Sequence, residues 1–129
     1  MIDLTAVRTD AAPAPVAGAP YSQAIVAGDL VFASGQVPID PGTGALVDGD
    51  VTAQTERIFA NLAAVLEAAG SGLDRLIKTT VFLVDLADFG EMNEAYRSAV
   101  GDPPPARSTV EVAALPAGAR IEIDCVAAR

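Results

Sequence analysis

Three consecutive prolines, Pro103-Pro104-Pro105, stand immediately before Ala106-Arg107-Ser108-Thr109 and impose the sharpest local constraint on this chain. Proline has no backbone N–H to donate and holds φ near about −65°, and it pushes the residue before it toward extended backbone. A helix arriving from the N-terminal side must therefore stop by Gly101, and the segment after Pro105 must begin as a strand. Arg107 is delivered by this rigid run to the mouth of that strand.

The arginine matters because the chain has no histidine and one cysteine. Imidazole-based nucleophile–base pairs and His-based metal sites are unavailable, so chemistry must rest on Arg, carboxylates, Tyr, hydroxyls and backbone dipoles. Cys125 alone forms no intramolecular disulfide and no Cys cluster for a metal, so no metal site is expected and a reducing compartment fits. It lies in the apolar stretch 121–127 and reads as a small buried hydrophobe rather than a reactive thiol.

A length of 129 residues with 51% hydrophobic residues suits one packed domain. No apolar run approaches the ~18 residues of a membrane span, and residues 1–16 lack the pattern of a secretory signal, so a cytoplasmic protein with no membrane partner is expected. Seventeen acidic against eight basic residues give a net charge of −9, which repels a polyphosphate chain, and no nucleic-acid partner is expected. An anionic small substrate would need a local cation in a pocket, and Arg107 is the candidate.

Residues 10–20 carry three prolines and many alanines, the composition of an extended arm. Residues 24–27 and 30–37 predict two strands joined by the Gly28-Asp29 hairpin turn, and Gly35 inside the second suggests a bulge or a close backbone approach. From 51 to 69, Ile58, Leu62, Val65, Leu66 and Ala69 fall at steps of three and four, an amphipathic helix that Gly70 or Gly72 ends. Residues 73–84 predict a long strand rich in β-branched residues. Asp88 with Glu91 resembles a capping box opening a second helix that runs to Gly101.

Along 107–113, Val110 and Val112 face one way and Arg107, Thr109 and Glu111 the other; along 121–127, Ile121, Ile123 and Cys125 oppose Glu122 and Asp124. Folding back around Leu115-Pro116 would pair these two strands, valines against isoleucines on the core side, with Arg107 opposite Asp124 and Thr109 opposite Glu122. The element order indicates an α+β domain with two helices packed on one face of a largely single sheet. The other face, with Tyr21, Phe32 and Thr80, reads as a subunit interface with a cleft.

Taken one at a time these residues have plain structural readings. An arginine at a strand start is more often a surface or ion-paired residue, Glu122 more often a solvated or interface carboxylate, and Tyr21 more often a packing anchor. Ser34 and Gly35 could exist to permit a bulge, and Asn93 to bond backbone at an interface.

Six fragments in order change the weighing: Pro20-Tyr21-Ser22-Gln23, Ser34-Gly35-Gln36-Val37-Pro38, Lys78-Thr79-Thr80-Val81-Phe82, Asn93 followed by Tyr96, Pro105-Ala106-Arg107-Ser108, and Ile121-Glu122-Ile123. From about Ala19 onward the chain resembles the Rid family of reactive intermediate deaminases, also called the YjgF or UK114 family. The resemblance implies an arm over 1–18 and a Rid-type deaminase domain over 19–129. It further implies a chorismate-mutase-like α+β fold, a homotrimer with active sites in the clefts between subunits, and hydrolysis of 2-imino acids to 2-keto acids and ammonia without cofactor or metal.

In that setting Arg107 would clamp the substrate carboxylate, Glu122 would activate water, and Tyr21 would close the pocket. Ser34, Gly35 and Asn93 match positions lining the family site, with Thr109 contributing backbone groups. The chain departs from the family pattern at Thr109, where the RidA branch usually has Cys, and at Pro104 and Ala19. A non-catalytic module binding keto acids in the same cleft is the competing reading, since a pocket can outlive its activity. A ribonuclease, linked to some relatives, is disfavoured by the charge and the lack of a basic stripe.

Overall fold

The computed structural model describes residues 1–129, with strands β1 (Leu4–Val7), β2 (Ala24–Ala27), β3 (Leu30–Gln36), β4 (Leu76–Leu83), β5 (Ala106–Glu111) and β6 (Ile121–Ala128) and helices α1 (Val51–Ala68) and α2 (Phe89–Ala99). All six strands form one mixed sheet in the order β1-β2-β3-β6-β4-β5. This is the expected α+β arrangement of a single sheet carrying two helices.

The first hairpin follows from its turn chemistry. Gly28 sits at φ +60°, a conformation that costs glycine little, and β2 pairs antiparallel with β3 across it. Helix α1 starts where Asp50 accepts a hydrogen bond from the Ala53 N–H at 3.0 Å, and it ends before Gly70, at φ +81°, rather than Gly72. Ile58, Leu62, Val65 and Leu66 of α1 are fully buried against Val31, Val81, Leu83, Ile121 and Ile123. Each such side chain contributes about 1.5–3 kcal/mol through removal from water.

Several expectations are corrected. The strand expected over 73–84 begins at Leu76, after a 3-10 turn at Leu73–Arg75. Asp88 makes no capping hydrogen bond at the start of α2; both its carboxylate oxygens accept from Nη2 of Arg120, at 2.9 and 3.0 Å. The terminal hairpin is absent. Strand β5 lies parallel to β4, and β6 lies antiparallel between β3 and β4, so Arg107 stands beside Thr79 rather than opposite Asp124, and Thr109 beside Val81 rather than opposite Glu122.

That change of neighbour reverses the faces of β5. Thr79, Val81 and Leu83 are buried under the helices, so their partners Arg107, Thr109 and Glu111 point to the helix side, and Val110, beside Phe82, points away from it with 42% of its surface exposed. Strand β1, which sequence periodicity did not mark, adds an edge beside β2. Leading residues of the arm are thus part of the sheet. Gln23 ties down the following stretch: its amide oxygen accepts from the Thr9 N–H and its amide nitrogen donates to the carbonyls of Thr9, Ala12 and Pro13.

The sheet face opposite the helices carries exposed Leu30 and Phe32, the latter 46% exposed, along with Phe82, Glu122 and Asp124. No helix is long and apolar enough to cross a membrane.

Candidate functional site

The residues singled out in the sequence fall into two groups. Tyr21, Ser34, Gly35 and Glu122 gather where the 21–23 segment, the β3 bulge and β6 meet. Arg107, Asn93 and Thr109 gather at the far sheet edge, under α2.

In the first group the organising feature is the bulge. Between Ala33, paired with Cys125, and Gln36, paired with Ile123, β3 carries one residue more than β6. The extra length turns Ser34 so that its hydroxyl donates to the Ser22 carbonyl at 2.7 Å while its N–H donates to the Gln23 carbonyl at 3.0 Å. Gly35 has no left-handed backbone to explain it. What it provides is room: a Cβ there would lie 2.8 Å from Cδ of Glu122, so the carboxyl rests directly on the bulged backbone.

Glu122 faces the open side of the sheet, alternating with buried Ile121 and Ile123. Desolvation first, and the neighbouring Asp124 carboxylate second, push its pKa above the ordinary glutamate value. Asp124 itself accepts from the Thr80 N–H at 3.2 Å and has no cationic partner. The Tyr21 hydroxyl accepts from the Val16 N–H at 2.9 Å, and the ring remains 40% exposed. It anchors the arm and still presents a face.

In the second group, the Arg107 guanidinium carbon lies 4.8 Å from the ring centroid of Tyr96 and 5.5 Å from that of Phe89. Arg97 and Arg120 are paired with Glu94 and Asp88, whereas Arg107 has no carboxylate partner and its N–H groups meet no acceptor in the chain. A cavity of about 660 Å³ opens beside it, lined among others by Asn93, Tyr96, Val100, Pro104 and Pro105. Two buried oxygens close by, Oδ1 of Asn93 and Oγ1 of Thr109, have no hydrogen-bond partner. Buried polar atoms are rarely left so, which sets this edge apart from the rest of the core.

Tyr96 and Phe89 were not among the site residues read from the sequence. The step of seven between them, with Asn93 midway, places all three on one side of α2, a signal that helix periodicity contains.

One sheet separates the two groups. Arg107 points to the helix side and Glu122 to the open side, two strands over and three residues along, about 14 Å between Cα atoms from strand spacing.

A bulged sheet bearing two helices on one face, with a partly desolvated carboxylate on the other and an unpaired guanidinium at its edge, defines a small α+β protein. The family described as Endoribonuclease L-PSP matches residues 11–129. A 2-iminobutanoate/2-iminopropanoate deaminase of Mus musculus is 44% identical over 114 residues, covering 88% of this chain and 84% of its own. The crystal structure of RidA from the Antarctic bacterium Psychrobacter sp. PAMC 21119 superposes with a TM-score of 0.92 at 42% identity, over 97% of this chain and 99% of its own. That of E. coli TdcF with bound serine gives a TM-score of 0.89 at 37% identity, over 97% and 98%. The chain belongs to the Rid family, the RidA/YjgF/UK114 group of reactive intermediate deaminases that shares this family description.

Proposed function

We infer that this protein hydrolyses small 2-imino acids, with 2-iminobutanoate and 2-iminopropanoate as its substrates, to 2-keto acids and ammonia. The observation that carries the reading is Arg107, a guanidinium held by aromatic rings with every N–H donor unspent. A planar carboxylate takes two parallel hydrogen bonds from such a group, a geometry that lysine does not offer. The deaminase name of the Mus musculus relative and the serine bound to the E. coli one support a small ligand bearing a carboxylate.

The chemistry needs one base and no redox step. Water oxygen bonds to the imine carbon, the C=N π electrons pass to nitrogen, and Glu122 takes the water proton. That proton passes to nitrogen to give the amino alcohol; Glu122 then takes the hydroxyl proton and delivers it to the same nitrogen, so that the C=O bond forms as the C–N bond breaks and ammonia leaves. A carboxylate whose pKa is raised by desolvation is a stronger base than one in water, which suits Glu122 to this step. Fixing water and imine in a cleft supplies further acceleration through orientation. Asn93 lines the cavity beside Arg107, and Thr109, two residues along the same strand, would contribute backbone groups.

A clamp and a base on opposite sides of one sheet do not meet on a single substrate within one copy. The reading therefore includes assembly: Asn93, Arg107 and Thr109 of one subunit face Tyr21, Ser34, Gly35 and Glu122 of the next, three times around a homotrimer. Exposed Leu30, Phe32 and Val110 supply apolar surface for that contact.

The test couples a pyridoxal-phosphate-dependent threonine dehydratase to semicarbazide trapping of the imine. Catalytic amounts of the protein should suppress semicarbazone formation, and Arg107→Ala should abolish the suppression. Unchanged trapping with the wild type would sink the deaminase reading. Binding of 2-oxobutanoate without turnover would then identify a carboxylate-binding module.

A further inference from the structure

Arg107 has an orientation but no hydrogen-bonding partner, and something other than an ion pair must hold it. Arg120 is fixed by two hydrogen bonds to Asp88. The rings of Tyr96 and Phe89 stand over the guanidinium carbon of Arg107, Tyr96 the closer at 4.8 Å. An aromatic face attracts a cation through its quadrupole and uses none of the guanidinium N–H groups. Holding by a ring thus leaves the donors free for a carboxylate, whereas holding by an aspartate would consume them.

The two rings are not equivalent. Phe89 is 41% exposed at the first position of α2, while Tyr96 is 5% exposed and held at two points. Its ring packs edge-on to Phe59 of α1, centroids 5.3 Å apart and planes at 80°. Its hydroxyl lies 2.6 Å from Oγ1 of Thr79, a fully buried residue of β4. Thr79 is also the strand partner of Arg107, so the residue that fixes the far end of the ring is one step across the sheet from the residue whose cation the ring holds. A buried threonine hydroxyl is costly unless it is satisfied, and Tyr96 is its partner. Burial raises the Tyr96 pKa, an effect that outweighs the opposing Thr79 hydrogen bond and the Arg107 charge, so the ring stays a neutral phenol.

We propose that Tyr96, with its ring fixed by Thr79 and Phe59, is the positioning residue that presents the Arg107 guanidinium to the substrate carboxylate. This rests on the deaminase reading only for the identity of the carboxylate. Tyr96 acts through Arg107 and touches no reacting atom. A carboxylate held equally in ground and transition states contributes to KM more than to kcat, so loss of Tyr96 raises KM and leaves kcat comparatively intact.

Three measurements test it. In the wild type, the Arg107 Nε–H proton, assigned by its disappearance in Arg107→Lys, should resonate upfield of ordinary arginines through the ring current of Tyr96; an ordinary position overturns the proposal. Titration with 2-oxobutanoate should give binding about tenfold weaker for Tyr96→Leu, while Tyr96→Phe, which keeps the ring face and its packing on Phe59 but loses the Thr79 hydrogen bond, weakens it by no more than about threefold. Equal affinities for the leucine and phenylalanine variants overturn it, whether both are weak or both tight. Should Tyr96→Leu fail to fold, the NMR measurement on the wild type decides alone.

In the turnover assay, Tyr96→Leu should raise KM with kcat within a few fold of wild type; a fall in kcat at unchanged KM counts against positioning. The NMR and binding measurements need no imine turnover. A wild type that binds 2-oxobutanoate without hydrolysing imines sinks the deaminase reading alone. An active enzyme whose Tyr96→Leu variant binds as tightly as wild type sinks this one alone.

Discussion

Glu122 lies so close to the backbone of Gly35 that a side chain at position 35 would occupy the space of its carboxyl group, Cβ to Cδ at 2.8 Å. The obstruction is the far end of a flexible side chain, so the fold can survive it by swinging the carboxylate aside. The bulge in β3 and the missing Cβ together decide where the Glu122 carboxyl sits.

Gly35→Ala should therefore fold and assemble as wild type does, yet lose about 10- to 100-fold in kcat/KM, within the range lost when a general base is misplaced. Affinity for 2-oxobutanoate, which the proposed function assigns to Arg107, should change little. Thermal denaturation, turnover and ligand titration on one preparation separate these outcomes, and an alanine variant with wild-type kcat/KM would show that the contact is irrelevant to the reaction.

The raised pKa of Glu122 makes a signed prediction about pH. The base works ionised, so kcat/KM should fall as pH drops through the raised pKa of Glu122, at a higher pH than an ordinary glutamate would give. Stability runs the other way. The folded state binds this proton more tightly than the unfolded one, so the favourable contribution is present below the unfolded pKa and lost as pH rises through the folded pKa. At neutral pH Glu122→Gln should accordingly remove a cost, raising Tm by about a degree or two while reducing turnover at least about 100-fold. A Gln variant that is both inactive and less stable contradicts the desolvated-base account.

How far this site was legible from the chain depends on which kind of neighbour is concerned. The bulge at Gly35, the amphipathic run of Ile58, Leu62 and Leu66, and the alternation of Ile121, Glu122 and Ile123 are consequences of local period, and all three stand in the structure. Period does not say which strand lies beside which. Val110 and Val112 suggested a core face, but the parallel neighbour β4 puts Val110 beside Phe82 and sends Arg107 to the helix side. Strand β1 escaped notice because three of its four residues are exposed and its partner lies about twenty residues away. The rings around Arg107 come from α2, a contact set by packing between elements rather than by spacing within one.

Cys125 provides a check on the core rather than the site. Burial first, and Asp124 second, push its thiol up to about 12, so almost no thiolate exists near neutrality. Native protein at pH 8 should show negligible alkylation by iodoacetamide over hours, and full alkylation in denaturant, read by intact mass. Rapid labelling of native protein would mean that β6 opens readily between β3 and β4.

The proposed placement of Arg107 and Glu122 on different subunits of a trimer has a numerical consequence. Under that reading Arg107→Ala removes one half of every site and Glu122→Gln the other, so each variant alone should be inactive. In a trimer each contact joins the Arg107 side of one subunit to the Glu122 side of the next, and a site works when both of those are intact. Co-refolding the two variants in equal amounts pairs an intact clamp with an intact base at about one contact in four. Activity should return to about a quarter of wild type, while unmixed controls stay inactive. If clamp and base instead acted from one chain, every site in the mixture would carry one lesion and no activity would return. The recovered fraction, measured against the subunit ratio, thus distinguishes a site built within one copy from one built between two.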